Sequence, residues 1–339
     1  MRRPFELITS YALLSVCAAL DECGCFEALK KNENGITIKE LSERLSLNES
    51  ALACLIDFIV VNEPSLLLEK EPGRYGAGEL LLNSKFQNNL YFFLAYMPVL
   101  SSLESLLRGD KVYGMDFKRR GEYLQRSSAI HNKEAYGVVA KSLKNMEFDL
   151  IADIGCGRGD FLVDVFRFFP DKRFIGIESD KSVVEASQRF LKERNANESI
   201  SVIEGDASAP QEWRNVLKGT DPSRCVFVGI TLWHEFLNKQ GALSAILKRY
   251  RSYFPKSTFI AVEYNGFSVK DLAALPEDFR GAASFYQFVH PLTNQGVPPS
   301  VSAWQTFFME NGVLLTDIIP APNNLTVYVG ILAPLDLPV

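Results

Sequence analysis

One stretch near the middle of this chain constrains its fold more than any other. The apolar run 150–154 contains an acid, Asp153, and leads into a turn with glycine at positions 155, 157 and 159. From Phe161 onward, apolar residues recur at helical spacing. A strand, a tight turn and a helix in this order predict the first unit of an open α/β sheet, which binds its ligand beyond the carboxyl end of the strand.

The turn differs from a dinucleotide-binding turn in two respects. A dinucleotide fingerprint has the pattern Gly-x-Gly-x-x-Gly, whereas Asp160 stands here at the position of the late glycine. Asp153 also places a negative charge just before the turn, which disfavours a pyrophosphate and favours a cation. The sulfonium and ammonium groups of S-adenosylmethionine (SAM) are cations of this kind.

Two further apolar runs end in acids. The run 173–177 ends at Glu178, which lies ~20 residues beyond the glycines, as a ribose-binding carboxylate should. The run 201–204 is followed by Gly205 and Asp206, which is placed to accept a hydrogen bond from the amino group of adenine. Both runs are predicted strands of the same sheet.

These three segments resemble the motifs of class I SAM-dependent methyltransferases. The resemblance implies a Rossmann-like α/β domain with a seven-stranded sheet, in which Glu178 binds the ribose hydroxyls and Asp206 contacts adenine. The cofactor-binding residues that it implies are Asp153, Gly155, Gly157, Glu178, Asp206 and Ala207. The alternative is an ordinary doubly wound domain whose turns happen to be glycine-rich and acidic.

Composition limits the partners and the compartment. The chain has 339 residues, long enough for two domains, and its formal net charge of -5 argues against nucleic acid or an anionic membrane as the main partner. Its six cysteines are scattered, which indicates reduced thiols and a cytoplasmic protein. No apolar run reaches the ~18 residues that a membrane span requires.

The first 85 residues have the pattern of a winged helix. Thr37 and Glu40 form a capping box, Asn48 can cap a second helix, and residues 71–74 form the tip of a hairpin. This part has nine basic and thirteen acidic residues, so it lacks the positive charge that non-specific DNA binding requires. It is similar to the N-terminal dimerisation domain of O-methyltransferases, which implies a homodimer.

The rest of the chain divides into a connection and a catalytic domain. Residues 86–147 include a strongly apolar helix, and the resemblance implies that they contribute to the substrate pocket. Residues 148–339 form the SAM-binding domain, with predicted strands also at 225–230 and 257–263 and a terminal hairpin at 313–331. Residues 264–300 show no clear periodicity.

The chain contains only three histidines, His131, His234 and His290. His234 follows the fourth strand of the sheet. In O-methyltransferases a histidine at this place, usually followed by an acid, is the general base that deprotonates a hydroxyl group. Here the acid is Glu235, and Glu263 at the end of the fifth strand could orient the ring.

His290 raises a second possibility. Two histidines and a carboxylate form the set that holds non-haem iron or zinc, here His234, His290 and Glu235, the last directly or through water. The segment around His290 resembles α-keto acid C-methyltransferases of the 2-ketoarginine or phenylpyruvate type. That resemblance implies a metal that chelates the keto acid and promotes methylation at C3. The alternatives are a packing role for His290 in a metal-free O- or N-methyltransferase, and a non-catalytic or DNA-binding protein of this fold.

Overall fold

The computed structural model describes residues 4–335, which form two compact units. The first unit contains the described residues up to Met97 together with Arg119–Ile130. The second contains Pro98–Lys118 and the described residues from His131 onward. The segment 86–147, predicted to be a connection, is therefore divided between the two units.

The helices and strands are numbered in chain order. The helices are α1 (Pro4–Glu22), α2 (Cys25–Lys31), α3 (Ile38–Leu45), α4 (Glu49–Asn62), α5 (Glu79–Leu82), α6 (Ser84–Leu100), α7 (Leu103–Arg108), α8 (Gly121–His131), α9 (Lys133–Leu143), α10 (Asp160–Phe166), α11 (Lys181–Glu193), α12 (Pro210–Trp213), α13 (Ala242–Tyr253), α14 (Val269–Ala274), α15 (Glu277–Leu292) and α16 (Val301–Glu310). The strands are β1 (Ile36–Thr37), β2 (Leu67–Glu71), β3 (Arg74–Ala77), β4 (Leu150–Ile154), β5 (Arg173–Glu178), β6 (Ile200–Glu204), β7 (Cys225–Ile230), β8 (Thr258–Tyr264), β9 (Val313–Ala321) and β10 (Leu325–Leu332).

The first unit has the order of elements of a winged helix. Strands β1, β3 and β2 form a small antiparallel sheet beside helices α2 to α4. The side chain of Thr37 accepts a hydrogen bond from the Glu40 amide, and the Glu40 carboxylate accepts one from the Thr37 amide, so the predicted capping box is present. Helices α1 and α2 are separate, because Gly24 between them adopts a left-handed φ of 78°.

The second unit is built on a seven-stranded sheet. Its strand order is β6-β5-β4-β7-β8-β10-β9, with β4 to β8 parallel and β10 antiparallel to both β8 and β9. The central strands β4 and β7 consist almost entirely of buried residues. This is expected for parallel strands that are covered by helices on both faces.

Two apolar cores lie on the two faces of this sheet. One contains Val139, Phe161 and Leu162 from helices α9 and α10. The other contains Tyr250 from α13 and Trp304 from α16. Because the sheet is fixed from both sides, the residues that follow each strand at its carboxyl end are held in defined positions.

The segment 264–300 contains two helices that its sequence pattern did not predict. Helix α15 carries Tyr286 and His290, but its half-buried positions include five consecutive residues, 283–287, rather than one stripe. Pro291 lies in its last turn, which further obscures the pattern. Among residues 4–335, no helix is both long and apolar enough to cross a bilayer.

Candidate active site

The three predicted cofactor motifs lie side by side at the carboxyl edge of the sheet. They follow β4, β5 and β6, which are adjacent in the sheet. Strands β5 and β7 flank β4 on opposite sides, so the order of the strands reverses at this point. Open α/β sheets bind ligands in the crevice that such a reversal creates.

The glycine turn after β4 has a backbone that requires glycine. Gly155, Gly157 and Gly159 have φ values of 69°, 53° and 88°, which side chains with a β-carbon resist. A β-carbon on Gly155 would also lie only 3.0 Å from Cδ1 of Leu232. The amide of Gly155 donates to the carbonyl of Ile177 over 2.8 Å, which holds the turn against β5.

Glu178 is fixed at the end of β5 by backbone donors. Its Oε2 accepts a hydrogen bond from the amide of Gly157 at 3.1 Å, and its Oε1 accepts one from the amide of Asp180 at 3.0 Å. The carboxylate is half-buried and lies directly beside the glycine turn. It can therefore accept hydrogen bonds from hydroxyl groups of a ligand that enters this crevice.

Asp153 is a buried acid whose charge has little compensation. It is 3% exposed, and burial raises the pKa of its carboxyl group well above the ordinary value, with repulsion from Glu178 adding to the shift. A cation bound beside the turn would offset both effects. The arrangement is therefore suited to a positively charged ligand and poorly suited to a phosphate.

Asp206 and Ala207 lie in an anchored loop after β6. Asp206 is exposed, and its Oδ1 accepts a hydrogen bond from the amide of Ser208 at 2.7 Å. The indole N–H of Trp213 donates to the backbone carbonyl of Asp206 at 2.9 Å. The hydroxyl of Tyr250 donates to the backbone carbonyl of Ala207 at 3.0 Å. The loop thus presents one carboxylate in a fixed place at the same edge of the sheet.

His234 and Glu263 form a buried pair at the ends of β7 and β8. The Nδ1 atom of His234 lies 2.7 Å from Oε2 of Glu263. The other carboxylate oxygen accepts hydrogen bonds from the amides of Leu232 at 3.0 Å and Trp233 at 2.5 Å. His234 is 3% exposed and Glu263 is 0% exposed, so the imidazole is held in one orientation.

A strained residue precedes this pair. Thr231, the first residue after β7, has a φ of 52°, which is uncommon for a β-branched residue. Its amide donates to the carbonyl of Val262 at 2.7 Å, and its hydroxyl accepts from the amide group of Asn132 at 3.2 Å. Such strain persists only where the surroundings impose it, and it occurs often at functional sites. Here it turns the chain toward His234.

His290 is on helix α15 and lies beside His234. The centroids of the two imidazole rings are 5.1 Å apart. The Nδ1 atom of His290 lies 2.5 Å from the carbonyl oxygen of Tyr286, one helical turn earlier. The hydroxyl of Tyr286 in turn lies 3.3 Å from Nε2 of His234. Helix α15 therefore supplies two polar side chains to the site.

The predicted three-residue metal set is not assembled. His234 and His290 are close together, but Oε1 of Glu235 accepts a hydrogen bond from Nε2 of Gln295 at 2.6 Å. Within the described part of the chain, residues 4–335, no group of three histidine, cysteine, aspartate or glutamate side chains is placed to hold a metal ion. Adjacent residues such as His234 and Glu235 point to different neighbours, which the sequence pattern did not reveal.

Two residues of this site were missed in the sequence. Tyr286 and Tyr264 have ring centroids 3.9 Å apart, and both border His234. Tyr286 precedes His290 by four positions, a spacing that places both on one face of a helix. Recognition of α15 as a helix would therefore have identified it. The third histidine, His131, packs on Tyr264, and burial lowers its pKa to about 4.

Comparison with known proteins gives a match to one family model and several matches to solved structures. Residues 148–220 match a family model described as a putative methyltransferase, and this segment contains β4, β5, β6 and the glycine turn. The mitomycin 7-O-methyltransferase MmcR shares 16% identity, with 97% of this chain and 96% of that chain covered and a TM-score of 0.68. The structure of PigF with SAH shares 16% identity over 96% of this chain and 98% of that chain, with a TM-score of 0.71. Human N-acetylserotonin methyltransferase in complex with SAM shares 14% identity over 98% of this chain and 99% of that chain, with a TM-score of 0.71.

These likenesses confirm the predicted fold class, a Rossmann-like methyltransferase domain preceded by a helical N-terminal region. Identities this low establish the fold, while activity depends on the site. The methyltransferase prediction agrees with the family model and with all three structures. The finer resemblance to α-keto acid C-methyltransferases receives no support from them, and neither does iron or zinc.

Asp153→Asn should stabilise the cofactor-free protein at neutral pH. An acid whose pKa is raised in the folded state costs stability once the pH exceeds its unfolded pKa of ~3.9, and the cost grows until the pH passes the folded pKa. The gain in Tm of the variant should therefore increase as the pH rises from ~4 to neutrality.

Thermal unfolding over this pH range provides the test, with Asp171→Asn as the control. Asp171 is exposed and its pKa is lowered by the side chain of Lys172, so its replacement should give no such gain. An Asp153→Asn variant that is less stable than wild type at neutral pH would contradict the account of a poorly compensated charge.

Glu263→Gln should change the tautomer of His234. The side-chain amide of glutamine has a single oxygen, and the backbone amides of Leu232 and Trp233 would continue to donate to it. Its NH₂ group would therefore face Nδ1 of His234 and favour the tautomer protonated on Nε2. Long-range ¹H–¹⁵N NMR of the three histidines measures this directly. The exposed Glu310→Gln variant is the control, and a proton that stays on Nδ1 in Glu263→Gln would refute the pairing.

Proposed function

We propose that this chain is a SAM-dependent methyltransferase that uses His234 as a general base on a hydroxyl group of a small molecule. The observation that carries the proposal is the buried His234–Glu263 pair, at 2.7 Å, on the same edge of the sheet as the glycine turn. A base held by a carboxylate beside a crevice suited to a cation has the geometry that methyl transfer to oxygen requires.

The residues of the crevice would divide the work of cofactor binding. SAM, when bound, supplies an electrophilic methyl group on a sulfonium centre. Asp153 would compensate its positive charge, Glu178 would accept hydrogen bonds from the ribose hydroxyls, and Asp206 would accept one from the adenine amino group. The glycine turn allows the ligand to approach the backbone closely. Much of the rate would come from this positioning.

His234 and Glu263 would move the proton. With Nδ1–H donated to the carboxylate, Nε2 carries the lone pair and is the atom that gains a proton when the acceptor hydroxyl is deprotonated. Glu263 then stabilises the imidazolium that forms. The acceptor oxygen, now nucleophilic, is the atom to which the methyl group is transferred.

The structural likenesses favour oxygen as the accepting atom. MmcR is described as a mitomycin 7-O-methyltransferase, and the human N-acetylserotonin methyltransferase was solved with SAM. Both cover nearly the whole of this chain. At 16% and 14% identity they support the reaction class and leave the acceptor to be identified.

Glu178→Ala and Asp206→Ala should each weaken SAM binding. Loss of a hydrogen-bond partner at a ligand site costs ~1–3 kcal/mol, which corresponds to roughly a 5- to 150-fold increase in Kd. Isothermal titration calorimetry with SAM measures the effect, and Asp171→Ala on the exposed surface is the matched control. Unchanged affinity in both site variants would overturn the assignment of the crevice.

A second candidate is metal-dependent C-methylation of an α-keto acid. The observation in its favour is that the ring centroids of His234 and His290 lie 5.1 Å apart. In each ring Nδ1 lies close to an oxygen atom, which belongs to the Glu263 carboxylate for His234 and to the Tyr286 carbonyl for His290. Metal-binding histidines are commonly oriented in this way. Glu235 is not placed as a third ligand, so the donor set fits a metal only in part and we derive no step through one.

His234→Ala and His290→Ala distinguish the two candidates. If His234 is the base, its alanine variant should lose ~10²–10⁴-fold in kcat, while His290→Ala stays largely active and chelators have little effect. A metal enzyme would lose activity in both variants and contain stoichiometric iron or zinc. The measurement is methyl transfer from labelled SAM to hydroxyl and α-keto acid acceptors, with elemental analysis of the pure protein.

We also propose that the chain is a homodimer through its N-terminal unit. Helix α1 exposes large apolar side chains, with Phe5 76%, Ile8 63% and Tyr11 71% exposed. Large exposed apolar patches mark interaction sites, and the winged-helix order of elements agrees with the dimerisation domains that it resembles.

Light scattering at micromolar concentration should give the mass of a dimer. Ile8→Glu should shift the protein toward monomer by placing a charge in the apolar surface, whereas Glu310→Gln should not change the mass. A wild-type protein that is monomeric under these conditions would contradict the proposal.

A further inference from the structure

The hydroxyl of Tyr286 occupies the position from which a substrate hydroxyl would be expected to reach the base. Its oxygen lies 3.3 Å from Nε2 of His234. The other ring nitrogen of His234 is already engaged by Glu263. Nε2 is thus the only nitrogen through which His234 can accept a proton, and a phenol of this chain faces it.

The direction of this contact follows from the tautomer. With an ionised Glu263, which only accepts hydrogen bonds, and a neutral imidazole, Nδ1 of His234 carries the proton and Nε2 carries the ring's in-plane lone pair. That single lone pair can accept one hydrogen bond, from the phenol of Tyr286. The phenol oxygen has lone pairs of its own, with which it can accept a hydrogen bond from a further hydroxyl group.

The ring of Tyr286 is held in place by its neighbours. Its centroid lies 3.9 Å from that of Tyr264 and 3.9 Å from that of His290. Its carbonyl oxygen lies within hydrogen-bonding distance, 2.5 Å, of Nδ1 of His290. Rotation of the ring about its own axis leaves the hydroxyl oxygen where it is. The phenol is therefore part of the site rather than a group that swings aside.

We propose that Tyr286 is a further catalytic residue, which relays the proton of the acceptor hydroxyl to His234. This inference rests on the proposed function. The acceptor O–H bond breaks and its proton passes to the oxygen of Tyr286, while the phenolic proton of Tyr286 passes to Nε2 of His234. The acceptor oxygen forms its bond to the methyl carbon as the sulfur–methyl bond breaks, and the electron pair of that bond stays on the sulfur.

Tyr286→Phe tests the relay because it removes the hydroxyl and keeps the ring between Tyr264 and His290. The relay predicts that kcat falls ~10²-fold, the lower end for acid–base catalysis, while KM for the acceptor and Kd for SAM stay near wild type. Tyr253→Phe is the matched control, because Tyr253 packs against Phe254 and Arg214 outside the site and its hydroxyl has no role in the proposal.

The outcomes separate the relay from the proposed function. A Tyr286→Phe enzyme with wild-type kcat, beside an inactive His234→Ala enzyme, would overturn the relay and leave His234 as the direct base. A raised KM with unchanged kcat would also overturn it, since Tyr286 would then only position the acceptor. If His234→Ala itself remains active, the general-base proposal fails together with the relay.

A second measurement needs no substrate. The long-range ¹H–¹⁵N spectrum contains only three histidines, so Nε2 of His234 can be followed individually. Tyr286→Phe should move this resonance, because its hydrogen-bond donor is lost, and Tyr253→Phe should not. An unchanged Nε2 resonance in Tyr286→Phe would show that the phenol does not donate to His234 and would overturn the relay.

Discussion

The carboxyl edge of the sheet depends on one buried carboxylate. Glu263 accepts hydrogen bonds from two backbone amides of the turn after β7 and lies 2.7 Å from the imidazole of His234. A fully buried charge persists only when such donors satisfy it, and removal of its partners would leave it uncompensated. One oxygen atom of this carboxylate fixes the path of the turn and the other contacts Nδ1 of His234, so the ends of β7 and β8 together hold the imidazole in one orientation.

A second buried carboxylate in the crevice behaves in the opposite way. Asp153 lies near another acid, Glu178, and its raised pKa reflects a charge that the protein itself does not compensate. One carboxylate is thus paired within the chain and holds the imidazole of His234, while the charge of the other is left without compensation. The two lie at the ends of β4 and β8, the strands on either side of β7, so they share one edge of the sheet.

The sequence was sufficient to predict the sheet and the position of the three glycine- and acid-containing motifs at its carboxyl edge, because both arise from local patterns. Buried parallel strands are continuous apolar runs, and the acids and glycines at their ends needed no knowledge of distant contacts. The pairing of His234 with Glu263 was also accessible, since neighbouring parallel strands end at the same edge. Helix α15 could not be predicted from the sequence, because consecutive residues along it are half-buried and Pro291 disrupts the pattern of its last turn. Missing this helix hid Tyr286, and the side-chain direction of Glu235, toward Gln295, could not be derived from its position next to His234.

The most direct test of the account is a crystal structure with S-adenosylhomocysteine, the product that remains after methyl transfer. We predict its ribose at the carboxylate of Glu178, its adenine beside Asp206 and Ala207, and its sulfur facing the crevice toward Nε2 of His234. Density for the ligand away from the ends of β4, β5 and β6, or a sulfur directed away from His234, would contradict the account.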